Sequence, residues 1–273
     1  MLEFSILQAV YINDKPQYIS DCFQSILNNS YLPKKIVLVK DGPISDELNQ
    51  ILEHWEKKLP LHIVGYDQNK GLAFALNYGI QFIDTEYVAR MDSDDICYSQ
   101  RFEKQIKYLM DNPHILILGS GINEFYEQAK GIYRNIRLFP KEISKYSKKL
   151  YKGTPLGHPT LILKTDLLKK YLYNTTTKCN EDIDLWFRLL KDGYTIYNLQ
   201  EPLIHFRITD NTFARRGWKK SVNEMKIYYS HLNDINKFSF FNVFIFFRFI
   251  SRLFPKKIIR LMYLSNLRKY LIE

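Results

Sequence analysis

From residue 4 to residue 91 the chain alternates between short β-type runs and helical periods, and this alternation restricts the fold more than any other feature. Residues 4–10 (FSILQAV) read as a strand. Pro16 suits a first helical turn, and Ile19, Cys22, Phe23, Ile26 and Leu27 recur at spacings of three and four, which predicts a helix to about residue 29. Residues 35–39 form a second strand that stops at Asp41-Gly42-Pro43. A helix follows, with Leu48, Ile51, Leu52 and Trp55 on one face. Residues 61–66 are a third strand, 67–71 a polar turn, 72–82 a third helix and 87–91 a fourth strand. Such repetition predicts an α/β fold, a parallel sheet with helices on both faces.

Ligands of such sheets bind beyond the carboxyl ends of the strands. Those ends carry Val10 and Tyr11, Asp41, the turn with Asn69 and Lys70, and the run Arg90-Met91-Asp92-Ser93-Asp94-Asp95. Three carboxylates within four residues are hard oxygen ligands that suit Mg²⁺ or Mn²⁺, and a divalent ion would bring in a diphosphate. The same residues also suit a plain turn in which Asp94 or Asp95 caps a helix starting near Ser99. No Gly-x-Gly-x-x-Gly follows the first strand and no Walker-type Gly-x-x-x-x-Gly-Lys is present, which disfavours a dinucleotide dehydrogenase and a P-loop NTPase. A diphosphate would then be held by a metal on Asp92 and Asp94.

The second half is less regular. Residues 101–111 read as a helix, 115–125 and 132–139 as strands, and 140–152 as a basic helix. His158 precedes the apolar run 161–163, and 167–173 is a short helix before the polar loop 174–180. Glu181 and Asp182 then open a helix that buries Ile183, Leu185, Trp186, Leu189 and Leu190 and stops at Gly193. Acids in a first turn favour the helix dipole, and one of this pair is also placed to serve a cleft as general base. Residues 194–199 and 203–207 read as two short strands joined by 200–202.

The net charge of +10 sits in two patches. Residues 127–153 hold eight Lys and Arg against two acids, and residues 233–273 hold the same balance, so each contributes +6 and the remainder about −2. Local contact with something anionic follows. Three scattered cysteines, Cys22, Cys97 and Cys179, fit free thiols in a reducing compartment, and an acid at Glu3 argues against a signal peptide. Residues 238–254 contain eight Phe but also Arg248 and Arg252, too short and charged for a spanning helix. With the basic amphipathic run 256–270, they suit the interface of an anionic bilayer. A core helix or a homodimer contact is the competing use.

These motifs, in this order, resemble the inverting family-2 glycosyltransferases of GT-A fold over about residues 4–207. The carrying residues are Ala9-Val10-Tyr11, Asp41-Gly42, Asn69-Lys70-Gly71-Leu72 with Ala75, Asn77 and Gly79, the Asp92-Ser93-Asp94 DxD motif continued by Arg101-Phe102, and Glu181-Asp182 with Leu185-Trp186 and Arg188-Leu189. Asn123-Glu124-Phe125, Gly157-His158-Pro159-Thr160 and Arg215-Arg216-Gly217-Trp218 are most similar to bacterial exopolysaccharide and O-antigen transferases of the amylovoran-biosynthesis type.

The resemblance implies a transferase domain over residues 1–215, with a nucleotide-sugar half to about 112 and an acceptor half from 113. A basic, Phe-rich helical tail over 216–273 would associate with a membrane. It implies a metal-dependent hexose transfer from a nucleotide sugar, UDP-linked, to a polyprenyl-diphosphate-linked saccharide. The work would be done from the cytoplasm on the inner face of the bacterial plasma membrane. Val10, Tyr11, Asp41, Asn69, Lys70, Arg90, Asp92 and Ser93 would bind the donor, with Tyr11 and Asp41 at the base. Asp94, with Asp92, would hold Mn²⁺ or Mg²⁺, Asp182 would be the general base and Glu181 its neighbour. His158, Trp186, Arg215 and Arg216 would lie on the acceptor side. A sugar-nucleotide pyrophosphorylase would need a Gly-rich loop after the first strand, and residues 11–17 hold no Gly. Nucleic-acid binding is disfavoured because the rim is acidic and the basic residues lie away from it.

Overall fold

In the computed structural model β1 (Phe4–Val10) runs through the middle of the sheet, buried on both faces. The structure describes residues 2–128, 131–151, 153–177, 179–209, 218–235 and 249–250. After β1 come α1 (Pro16–Leu27), β2 (Lys35–Asp41), α2 (Asp46–Glu56), β3 (Leu61–Tyr66), α3 (Leu72–Gly79) and β4 (Tyr87–Arg90). The order β3-β2-β1-β4 is parallel throughout, as the alternation predicts. Consecutive residues of β2 serve opposite layers. Ile36 and Leu38 pack with residues of α1, α2 and α4 (Arg101–Asp111), while Val37 and Val39 pack with α3. That two-sided burial is why these strands read as continuous apolar runs.

The sheet continues from β4 through β9 (Ile162–Lys164), β6 (Ile117–Gln128) and β10 (Ile196–Arg207) to β5 (Ile96–Cys97). β9 enters antiparallel between β4 and β6, and β6 and β10 are parallel. β7 (Gly131–Arg137) lies beside β6, and β8 (Glu142–Ile143) beside β10. The result is a mostly parallel central sheet flanked by helices. α5 (Thr165–Tyr171) and α6 (Glu181–Lys191) cover one face. α7 (Trp218–Ile235) packs on α6, with the Phe187 ring 5.0 Å from Tyr228 and stacked on His231 at 5.4 Å.

Several local expectations are corrected. Residues 140–152 are not a helix: Glu142–Ile143 pairs with β10, and only a 3-10 turn at Lys148–Tyr151 is helical. The Ser147 hydroxyl takes the Ser144 N–H (3.0 Å), and Asn198 takes this segment to β10, donating from its N–H to Lys141 O (2.9 Å) and from Nδ2 to Pro140 O (2.8 Å). These bonds outcompete the helical ladder. The two strands expected over 194–199 and 203–207 are one, Ile196–Arg207. Pro202 has no N–H to give, and the register shifts on either side of it absorb the loss as bulges. The third helix is α-helical only to Gly79 and closes in a 3-10 turn at Ile80–Phe82. Neither Asp94 nor Asp95 caps α4: its N-cap is Gln100, without a side-chain bond. Among the described residues no helix is long and apolar enough to cross a membrane. Apart from 249–250, the Phe-rich and basic runs at 238–254 and 256–270 lie outside the described residues.

One glycine sets how closely the segment around Leu156 approaches the sheet. A Cβ at Gly119 on β6 would lie 1.7 Å from Leu156 Cδ1 and 2.4 Å from Asn198 Oδ1. Both neighbours are buried, and Asn198 is fixed by Pro140 and Pro155 carbonyls. Gly119→Ala is therefore expected to cost about 1–3 kcal/mol of unfolding free energy by overpacking. Urea unfolding checks it, and a loss below about 0.5 kcal/mol would show that the layer yields freely.

Candidate active site

The end of β4 carries the densest charge. Arg90 is buried, and its Nη2 pairs with Asp92 Oδ1, while Nε and Nη1 are buried without a partner. Arg101, also buried, donates from Nη2 to the Arg90 carbonyl (2.9 Å) and from Nε to Gln105 (3.1 Å). Arg207, at the end of β10, secures the turn from the other side. Its N–H donates to Asp95 Oδ1 (2.9 Å), its Nε to the Asp94 carbonyl (2.9 Å) and its Nη2 to Asp21 (2.9 Å). The guanidinium lies 4.1 Å from the Tyr18 ring centroid and 4.8 Å from that of Phe125.

Asp92, Asp94 and Asp95 each offer a carboxylate oxygen, and these oxygens lie within 4.8 Å of one another. At an effective dielectric of about 20, each such pair of charges repels by roughly 3 kcal/mol or more. Burial, then the charges of Asp92 and Asp14, push Asp94 up to about 7. Burial, then Asp94 and Asp92, hold Asp95 well above the usual carboxylate range. Asp95 Oδ2 is buried and has no partner. Crowded oxygens that resist ionising together, one of them unpartnered, fit a divalent cation, which would relieve the repulsion. Asp14 joins this group from the β1 loop: its Oδ2 accepts from the Tyr11 N–H (3.0 Å) and the Ser93 hydroxyl (3.4 Å).

Across the rim, Asp41 organises the turn after β3. Its two oxygens accept from the Tyr66 hydroxyl (2.8 Å), Asn69 Nδ2 (3.0 Å), Lys70 N–H (2.7 Å) and Gly71 N–H (3.0 Å). Four donors fill about four acceptor positions on a carboxylate. Asp41 is thus committed to shaping the turn that presents Asn69 and Lys70, both exposed. Gly42, at φ 82°, leaves room for Asn69 N, which a Cβ there would approach to 2.6 Å. The Lys70 ammonium lies over the Phe74 ring at 4.5 Å. Val10 is buried and Tyr11 half-buried at the end of β1.

The far wall comes from His158, Tyr173 and the start of α6. His158 and Tyr173 share a 2.8 Å hydrogen bond, and the His158 ring meets the Trp186 ring edge-on at 6.1 Å. Burial, then Arg90, hold His158 well below its usual pKa, so it stays neutral. Asn77 pins the Tyr173 backbone through two bonds of 2.7 and 2.8 Å. Burial raises the Tyr173 phenol, the Arg90 charge pulls it back, and the charges of Asp182, Glu181 and Asp92 raise it further. One hydroxyl thus feels the end of β4 and the start of α6 together. Asn180 holds that start with a left-handed backbone, φ 64°, a conformation Asn tolerates at a cost of roughly 1–2 kcal/mol. Glu181 and Asp182 are half-buried, whereas Asp184 is buried on Arg188 (2.8 Å) and His231 (3.3 Å).

Trp186 is completely buried, as the apolar period of its helix predicts, so the acceptor contact implied by the resemblance is corrected to core. Arg215 and Arg216 lie outside the described residues. Arg207, Asp14, Tyr173 and Asn77 escape assignment from sequence. Arg207 leaves only the faint signal of a cation ending an apolar strand, and Asp14 that of an acid closing the first rim loop.

The family described as "Glycosyl transferase family 2" matches residues 5–172. The chain is 32% identical over 269 residues to "Amylovoran biosynthesis glycosyltransferase AmsE" of Erwinia amylovora, covering 95% of this chain and 97% of that one. It is also 32% identical over 281 residues to the "UDP-Gal:alpha-D-GlcNAc-diphosphoundecaprenol beta-1,3-galactosyltransferase" of Escherichia coli, covering 98% of each. Among solved structures, the "Mannosyltransferase PcManGT from Pyrobaculum calidifontis in complex with GDP-Man and Mn2+" superposes with a TM-score of 0.63 at 13% identity, over 99% of this chain and 83% of that one.

Arg207→Ala would strip one side-chain donor, the Nε bond to the Asp94 carbonyl, from the aspartate turn and leave Asp21 without its ion partner. We expect a loss of roughly 2–4 kcal/mol in urea unfolding, somewhat below the roughly 3–5 kcal/mol for breaking a fully buried pair because Asp21 is half-buried. A change under about 0.5 kcal/mol would show that the turn holds without Arg207.

Proposed function

Because the chain belongs to glycosyl transferase family 2, has its GT-A fold and is an enzyme that transfers sugar in bacterial polysaccharide biosynthesis, we propose a specific reaction. A hexose moves from a UDP-linked donor, such as UDP-Gal or UDP-Glc, to a polyprenyl-diphosphate-linked saccharide, with inversion at the anomeric carbon. The observation that carries this reading is the cluster of Asp92, Asp94 and Asp95 carboxylates at the end of β4, on the same rim of the parallel strands as Tyr11 and the 67–71 turn. The galactosyltransferase relative, whose name specifies UDP-Gal and a diphosphoundecaprenol-linked acceptor, supports the choice of substrates.

On this reading Val10 and Tyr11 receive the base, and Asn69 and Lys70 approach the base or phosphates from the turn that Asp41 holds in shape. Arg90, with two unpartnered donors, and Asp92 and Ser93 face ribose and sugar. Asp94 and Asp92, with Asp95 beside them, would hold Mn²⁺ or Mg²⁺, for which the mannosyltransferase crystallised with Mn²⁺ is a precedent. When bound, the ion supplies Lewis-acid neutralisation of the departing diphosphate. Asp182 takes the proton of the acceptor hydroxyl as its oxygen attacks the anomeric carbon, opposite the bond that breaks to the diphosphate. Glu181 flanks the acceptor. Neutral His158, held by Tyr173, donates or accepts a hydrogen bond there without adding charge. An acceptor with a polyprenyl chain lies in a bilayer, so the chain works at the inner membrane face.

Two substitutions test these roles separately. Asp94→Ala is expected to abolish Mn²⁺-dependent binding of UDP-Gal in calorimetry, and metal-dependent affinity that survives would remove Asp94 from the metal site. Asp182→Asn should bind donor normally while transfer falls by roughly 10²–10⁴-fold, the range for loss of a general base. Normal turnover in that variant would sink the base assignment.

A further inference from the structure

The strand β7 exposes one face to solvent, and that face has the wrong composition for water alone. Ile132 is 56% exposed, Ile136 53% and Leu138 41%, and Arg134 between them is exposed as well. The alternate residues turn inward: Tyr133 packs with Tyr126, Ile208 and Phe206, and Asn135 donates to Glu124 (3.3 Å). The alternation is therefore that of an ordinary two-sided strand whose outer side is apolar and cationic. Contiguous exposed apolar residues of this kind mark interaction surfaces.

We propose that the outer face of β7 is the surface that docks this chain on an anionic bilayer. Exposed Lys141, Lys148 and Lys149 follow it closely in the chain, within a segment of net charge +6. Branched aliphatic side chains flanking Arg134 enter the headgroup region while the cations of this segment meet anionic lipid. The same net charge opposes self-association through this face. Single-stranded nucleic acid would call for exposed aromatic platforms, where β7 offers Ile and Leu.

The face is also continuous with the active site. Arg134 is the cross-strand neighbour of Phe125, Phe125 lies under the Arg207 guanidinium at 4.8 Å, and Arg207 holds the Asp94 carbonyl. A bilayer against β7 would lie beside the aspartate turn. The surface rests on the lipid-linked acceptor reading for its purpose, while its evidence is the exposure and charge of β7. The Phe-rich tail lies outside the described residues apart from 249–250, so the test must report from β7 itself.

The full chain carrying Ile136→Trp is mixed with vesicles of phosphatidylcholine with brominated acyl chains, with and without phosphatidylglycerol, in the absence of nucleotide sugar. We expect a loss of tryptophan emission beyond that of the unsubstituted chain, only with phosphatidylglycerol, and reversed by salt. Equal quenching in the two proteins would overturn the proposal even if the tail binds the vesicles. A companion I132S/I136S/L138S variant keeps the charge and removes the apolar row. It should sediment less with the same vesicles while its circular dichroism and its mass in light scattering stay unchanged. Unchanged sedimentation, or a fall in mass without vesicles, would overturn the proposal, the latter in favour of a second copy. Because neither readout involves transfer, failure of the transferase reading would show separately, as absent turnover on a soluble acceptor.

Discussion

The aspartate turn after β4 depends on the cations that hold it. Three carboxylates gathered behind the sheet repel one another, and burial sharpens the repulsion by removing water. Arg90 pairs with Asp92 from beneath, Arg207 bonds Asp94 and Asp95 from β10, and Arg101 fixes the carbonyl of Arg90. None of the three arginines removes the crowding at Asp94, which retains an affinity for a proton near neutrality. The protein thus holds crowded carboxylates whose repulsion a divalent cation would relieve.

The fold delivers the partners of that turn to one rim. The parallel half brings Tyr11, Asp41 and the 67–71 turn to the same end as the aspartates. β9, entering antiparallel beside β4, carries the chain from His158 to α5 and so to Tyr173. Asn77 on α3 then ties the Tyr173 backbone to the first part of the chain through two hydrogen bonds. The strain at Asn180 is local, and it orients Glu181 and Asp182 while Asp184 anchors the helix behind them.

Much of this was legible in the sequence, for physical reasons. The strand–helix alternation of residues 4–91 shows because both faces of a parallel strand are buried, and the rim acids show because they interrupt apolar runs. Glu181 and Asp182 show because acids open a helix of strong apolar period. What stayed hidden depends on contacts distant in sequence. Arg207 bonds Asp94 across 113 positions, and locally it is only a cation ending an apolar strand. Asp41 looks like a free ligand until the donors of the 66–71 turn fill it. Residues 140–152 imitate a basic helix because their charges are dense, whereas the two anchors Ile143 and Leu150 and the Asn198 bonds impose an irregular path. Pro202 reads as a strand break, yet the sheet absorbs it as a bulge.

Centrally, we propose that Asp92 and Asp94 serve the donor and Asp182 takes the acceptor proton at one reaction centre, in a single in-line displacement. The most direct measurement is the anomeric configuration of the product formed from UDP-α-galactose, read from the proton coupling of the new linkage by NMR. A β-linked product is expected, and an α-linked product would contradict the placement of Asp182 opposite the departing diphosphate.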